Sequence, residues 1–207
     1  MFKIHCRGIL GLKKEEVRMK IRSLLTLIIV LVIGSFSIVL AQPGFGPGSM
    51  PGPGMMGPGM MESVDSEYDF LVKMIPHHEE AVYNAKILRD NTNREEMREF
   101  ARDIIKVQTQ EIEEMKKYLA EWYPDRTNNY QYQPMMGDYK NLSGEELDYA
   151  FLEDMIFHHM GAVMMSQQLI VQDLAEHRSV YLLAQSIRDS QRQEIFMMRD
   201  WLDKWYN

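Results

Sequence analysis

Beyond about residue 65 the apolar positions recur at helical spacing in four long stretches, and strand-like alternation is almost absent. The first stretch predicts a helix from Ser66 to Asp90. The second follows Thr92, which with Glu95 has the Thr-x-x-Glu form of a capping box, and ends near Tyr123, before Pro124. Ser143 with Glu146 reads as a second capping box and opens the third helix; the fourth starts at His177 to Ser179 and runs to the C-terminus.

The four stretches form two similar pairs. His77-His78 aligns with His158-His159 at an offset of 81 residues, and Phe70-Leu71 and Ala81-Val82 then fall on Phe151-Leu152 and Ala162-Val163. Further on, Gln110-Glu111-Ile112 matches Gln193-Glu194-Ile195, Met115 matches Met198, and Trp122-Tyr123 matches Trp205-Tyr206, now at an offset of 83. A two-helix unit is duplicated: repeat one spans 65–123, a linker 124–142, and repeat two 143–207. Two helical hairpins bury their apolar stripes best as an all-α, antiparallel four-helix bundle.

Placing successive residues about 100° apart shows which side chains share a stripe. In the first helix Leu71, Met74, His78, Ala81, Ala85 and Leu88 face one way, with His77 on the flank. The third repeats this with Met155, His159 and Ala162 inside and His158 on the flank. Met74 and His78 are one helical turn apart and can converge. The second helix carries Gln108 and Glu111 beside Met115 in an otherwise apolar stripe, and the fourth carries Gln191 and Glu194 beside Met198. A buried carboxylate is costly unless paired or metal-bound, and the inward histidines are its natural partners. A methionine on a helical stripe is usually core filler, and a lone His–Glu pair is often only a hydrogen bond. The same set written twice favours a metal site with His77, His78, His158, His159, Met74, Met155, Met115, Met198, Glu111 and Glu194 as candidate ligands or orienting groups.

The region ahead of the bundle has a different character. Lys20 and Arg22 precede an apolar run from Leu24 to Ala41 that ends in Val39-Leu40-Ala41, the form of a cleavable signal with Gln42 as the mature start. An uncleaved membrane anchor is the alternative reading of residues 1–41. A start at Met19 gives a conventional signal, and Lys14-Glu15-Glu16-Val17-Arg18 is the translation expected of a purine-rich ribosome-binding tract. Both readings place the bundle outside the cytoplasm, periplasmic or secreted. Residues 42–64 begin QPGFGPGSMPGPGMMGPGMM, a composition that predicts a disordered tether. Its five methionines suggest loose capture of a soft metal as readily as a plain linker.

Composition narrows the function classes. The only cysteine, Cys6, lies upstream of the signal, so neither disulfides nor thiolate chemistry are available to the mature chain. Removing residues 1–41 takes seven of 23 Lys/Arg and two of 30 Asp/Glu, leaving 16 against 28, a net charge of −12. Such acidity argues against nucleic acid or an anionic membrane surface as partner. Imidazole with thioether suits copper, Cu(I) above all, better than metals that prefer oxygen. A di-iron centre wants Glu-x-x-His on two helices, and here Met74, Ile75, Met155 and Ile156 stand three before the histidines. No nucleophile triad, phosphate loop or dinucleotide fingerprint is present, so an enzyme is not expected.

The phrase Phe-Leu-x-x-Met-Ile-x-His-His-x-x-Ala, followed by Gln-x-x-Glu-Ile-x-x-Met, resembles domain-of-unknown-function family 305 (DUF305), secreted bacterial proteins of the ferritin-like superfamily, over about Glu67 to Tyr206. The resemblance implies two similar two-helix repeats and, from members linked to periplasmic copper binding and resistance, copper handling at His77, His78, His158 and His159. Glu79 stands where the second copy has Met160, which sets the half-sites apart. The expectation is an extracytoplasmic protein that binds, sequesters or passes on copper, with a copper donor or acceptor protein and a second copy of itself as conceivable partners. A metal-free helical interaction module or chaperone-like scaffold is the competing one.

Overall fold

The computed structural model describes residues 62–207. The signal segment, Cys6 and residues 42–61 of the tether lie outside the described residues. Four helices carry the fold: α1 Glu67–Asn91, α2 Glu95–Trp122, α3 Gly144–Val171 and α4 Arg178–Tyr206, with no strand among the described residues. The all-α bundle of two hairpins is therefore observed. α1 packs on α2 and α3 on α4, and the hairpins meet mainly through α1 and α3. Those two helices run antiparallel. Val64, just ahead of α1, exchanges two backbone hydrogen bonds with the Gln168 side chain near the end of α3 (3.1 and 2.8 Å). At the other end, Arg94 beyond α1 reaches Glu145 at the start of α3 (2.9 Å). The packed structure thus begins inside the stretch expected to be tether, since Val64 is buried.

The helix starts follow the expected signals only in part. Ser66 caps α1 and its hydroxyl accepts from the Asp69 N–H (3.2 Å). The box expected at Thr92 and Glu95 does not form. Thr92 is the C-terminal cap of α1 and its hydroxyl accepts from the Arg94 N–H (3.1 Å), while Glu95 pairs with Arg98 and Arg102. α2 begins after Arg94, with no side-chain cap. Ser143 occupies the cap position of α3, also without a side-chain bond.

The apolar interior is split in two. One cluster joins Phe70, Leu71, Met74 and Met115 to Ala162, Met165 and Leu169; the other joins Ala85, Leu88, Met97 and Phe100 to Phe151, Leu152, Met155 and Met198. Between them run His77, His78, His158, His159, Gln108, Glu111 and Gln191, all buried. A polar layer thus crosses the middle of the bundle on residues that the duplication repeats.

The duplication also builds a clasp between the hairpins at each end. Glu67, buried at the start of α1, accepts from the His177 backbone N–H and contacts its ring Nδ1, each at 2.7 Å, and the His177 ring stacks on Trp122 at 3.7 Å. At the other end the buried Asp148 of α3 faces Arg94 Nε at 3.6 Å, and the guanidinium lies over Trp205 at 4.6 Å. Glu67 and Asp148 correspond between the repeats, as do Arg94 and His177, and Trp122 and Trp205. Burial pushes the Asp148 carboxyl above its ordinary range, and Thr92 and Arg94 pull it back only in part. Replacing Arg94 by Ala leaves that carboxylate without its cation. We expect a loss of about 1–3 kcal/mol in unfolding free energy, measured by urea denaturation.

Candidate metal centre

The histidine pairs belong to α1 and α3, which cross at their middles, so the duplicated phrase meets itself there. His77 and His158, on the flanks of their own stripes, are the residues that touch across the seam: their rings lie 3.7 Å apart at a 35° tilt. His78 and His159 point the other way, each within its own hairpin. His78 Nε2–H donates to Glu111 (2.9 Å) and His159 Nε2–H to Glu194 (2.6 Å). The pairing of inward histidines with the Glu of the neighbouring stripe is as expected. The central position expected for His78 and His159 belongs instead to His77 and His158. A helical wheel gives direction around one axis and not which neighbour lies on a flank.

Six imidazole nitrogens in this layer are buried without a well-formed hydrogen bond: both of His77, both of His158, and Nδ1 of His78 and His159; of these, His158 Nε2 has a carboxylate 3.3 Å away. Buried polar atoms are normally satisfied, so this concentration of exceptions calls for a reason. Burial pushes the His77 ring well below the ordinary imidazole value, and the neighbouring His158, His78 and His159 add to the effect. Burial also lowers His158, although a carboxylate from α1 counteracts it. Both rings are neutral at neutral pH, with a lone pair that no protein group uses. In His78 and His159 the carboxylate fixes the proton on Nε2 and leaves the Nδ1 lone pair free, the arrangement in which an outer carboxylate orients a metal-binding imidazole. Imidazoles in this state fit a metal ion that prefers nitrogen and sulfur.

The α1 carboxylate facing His158 is Glu80, whose Oε2 lies 3.3 Å from His158 Nε2. Glu80 also grips the linker between the hairpins. It accepts from the backbone N–H of Met135 (3.0 and 3.2 Å) and Met136 (3.0 Å) and from the Tyr132 hydroxyl. Burial alone would raise the Glu80 carboxyl, but the bonds from His158, Tyr132 and the linker backbone hold it below its ordinary range. The partner of Glu80 in the second repeat is Gly161, at the same offset of 81. A side chain at Gly161 would meet His77 Nε2 at 3.2 Å and the Met135 thioether at 3.5 Å (Cε) and 3.8 Å (Sδ). His77 thus shares the space beside Gly161 with a thioether, where His158 faces a carboxylate.

Glu80, Gly161 and Met135 were absent from the expected site. The signal for Glu80 was its place one turn after His77; nothing in the periodicity indicates where an irregular linker passes. Of the four methionines expected as ligands, Met74 and Met115 lie in one apolar cluster and Met155 and Met198 in the other, all fully buried as core side chains. Among the described residues no three His, Cys, Asp or Glu side chains form a ready ligand cluster. The three nearest carboxylates are already engaged, Glu111 and Glu194 by histidines and Glu80 by the linker.

Two outcomes follow. Replacing His77 by Leu removes two unpartnered nitrogens, so the metal-free protein should hold its stability or gain about 1 kcal/mol, whereas His78→Leu strands Glu111 and should cost about 1–3 kcal/mol. Urea denaturation of both variants checks the contrast. Unfolded His77 and His158 take up protons near pH 6.5 and the folded rings do so only at lower pH. Their contribution to stability is therefore complete above that value and is lost as pH falls below it, and Glu80 adds a loss of the same sign below 4.5. The melting temperature of the metal-free protein should drop between pH 7.5 and 5, and by less in His77→Leu.

Comparison with known proteins places this geometry in a family. The model for the domain of unknown function DUF305 matches residues 67–202. The Cu(I)-bound structure of CopM is similar with a TM-score of 0.63 and 30% identity, covering 70% of this chain and 100% of CopM. Structures of DUF305 proteins from Streptomyces coelicolor and Deinococcus radiodurans are each 27% identical, with TM-scores of 0.60 and 0.59. They cover 67% and 68% of this chain, and 93% and 97% of their own. No curated protein matches the chain. The family match spans nearly all the described residues, both hairpins and both histidine pairs included, and the chain belongs to DUF305.

Proposed function

We propose that this protein binds copper outside the cytoplasm, holding Cu(I) in the buried imidazole layer to sequester it or pass it on. The observation that carries the reading is the His77–His158 pair: two buried rings 3.7 Å apart, of whose four nitrogens only His158 Nε2 faces a carboxylate, Glu80 at 3.3 Å. A helical bundle gains nothing in stability from such a pair, and a soft or borderline cation is what neutral imidazoles in a dry site bind best. Similarity to CopM supports copper as the ion, since CopM has been crystallised in Cu(I)-, Cu(II)- and Ag-bound forms. Export is supported by the signal-like segment ahead of residue 42. Among the described residues no helix is long and apolar enough to cross a membrane. The proposed role is binding and transfer rather than turnover.

His77 and His158 are the proposed central ligands, with the Nδ1 atoms of His78 and His159 next in reach and Glu111 and Glu194 orienting them. The mature chain, Gln42 to Asn207, should compete with a coloured Cu(I) chelator. His77→Ala with His158→Ala should lower that affinity by roughly a hundredfold or more. If the double variant competes as well as the wild type, the imidazole layer is not the site; if neither competes, the interaction-module reading takes over.

A further inference from the structure

The two halves of the centre differ where the duplication has been broken. On the α1 side of the seam stands Glu80; at the corresponding place on α3 stands Gly161. The missing side chain leaves room that both His77 Nε2 and the Met135 thioether border: a Cβ placed at Gly161 would lie 3.2 Å from His77 and 3.5 to 3.8 Å from Met135. Met135 belongs to neither repeat. It comes from the linker, and the linker is held there by three N–H contacts from Met135 and Met136 to Glu80, the Tyr132 hydroxyl on the same carboxylate, and the Asn84 amide on Met136 Sδ (3.5 Å). Tyr139 adds a fourth anchor, donating to Asp154 (2.6 Å). The half-buried Met135 is thus brought to the seam by a fixed backbone and not by chance packing of a long side chain.

We propose that Met135 is a ligand of the copper site, donating its thioether sulfur to an ion bound at His77 and His158, with Gly161 providing the space and Glu80 positioning the linker. This rests on the copper reading above and adds a donor that the four histidines do not supply. The third donor beside the two rings is then sulfur. It also assigns the centre a preference. A thioether binds Cu(I) and Ag(I) well and adds little for Cu(II), so Met135 makes the site selective for the monovalent ions. The linker joining the hairpins becomes the cover of the site. An open groove of about 420 Å³ runs between α1 and the linker beside it, lined by Pro76, Glu80, Tyr132 and Met136.

The test is Met135→Leu, which keeps the volume and removes the sulfur, in the full mature chain. Cu(I) and Cu(II) affinities are measured by chelator competition, and Ag(I) binding is followed by NMR of methyl-labelled methionines. The expected result is a loss of Cu(I) affinity of roughly ten- to a hundredfold with Cu(II) affinity little changed. Ag(I) should also shift one methyl resonance strongly in the wild type, and that resonance should be missing from the variant. Gly161→Ala, which fills the space while leaving Met135 in place, should lower Cu(I) affinity in the same direction. If Met135→Leu binds Cu(I) like the wild type while His77→Ala with His158→Ala does not, the histidine site stands and the thioether ligand is overturned. If the wild type fails to bind Cu(I), both fall.

Discussion

The arrangement turns on two imidazoles that face each other in the middle of a helical bundle, with one carboxylate, Glu80, at the edge of the pair. Burying a polar group without a well-formed hydrogen bond opposes folding, and His77 and His158 together bury three nitrogens with none and a fourth held only by the longer Glu80 contact. The fold tolerates them because its stability is built elsewhere. Two apolar clusters fill the ends of the bundle, and each end is closed by a carboxylate, a cation or imidazole, and a tryptophan drawn from both hairpins. The middle layer is free to be organised for a ligand.

Duplication explains both the symmetry of this layer and its departure from symmetry. Antiparallel crossing of α1 and α3 brings one phrase onto its own copy, so a modest set of residues supplies four imidazoles at one level. The Glu111 and Glu194 carboxylates then set the proton positions on His78 and His159. Exact two-fold symmetry would put a carboxylate beside each central ring. Glu80 and Gly161 break it, and the linker, which has no copy, occupies the difference. Glu80 thereby acts on both sides, facing His158 directly and holding the segment that approaches His77.

Much of this was legible in the sequence because it rests on local periodicity and on repetition. The four helices, the hairpin pairing and the His78–Glu111 and His159–Glu194 contacts follow from which residues share a stripe, and the offset between copies fixes which stripe answers which. The His77–His158 contact did not follow, because a flank position becomes central only when a particular neighbour packs against it. The Met135 approach did not follow either, since the path of a linker without regular structure is set by tertiary bonds such as those from Glu80. Thr92 shows the same limit on a smaller scale. Its spacing to Glu95 suits a capping box, but the arginines of the next turns compete for Glu95, and the helix starts after Arg94.

The central claim is that the seam between α1 and α3 is where the ion sits. A crystal of the mature chain soaked in Ag(I), with data collected to locate silver by its anomalous scattering, tests it most directly. The account predicts a strong peak between His77 and His158 on the side of the linker, within bonding distance of a nitrogen from each ring. Silver found only on surface methionines or on the methionines ahead of residue 62, with the two rings still in contact and no metal between them, would contradict it.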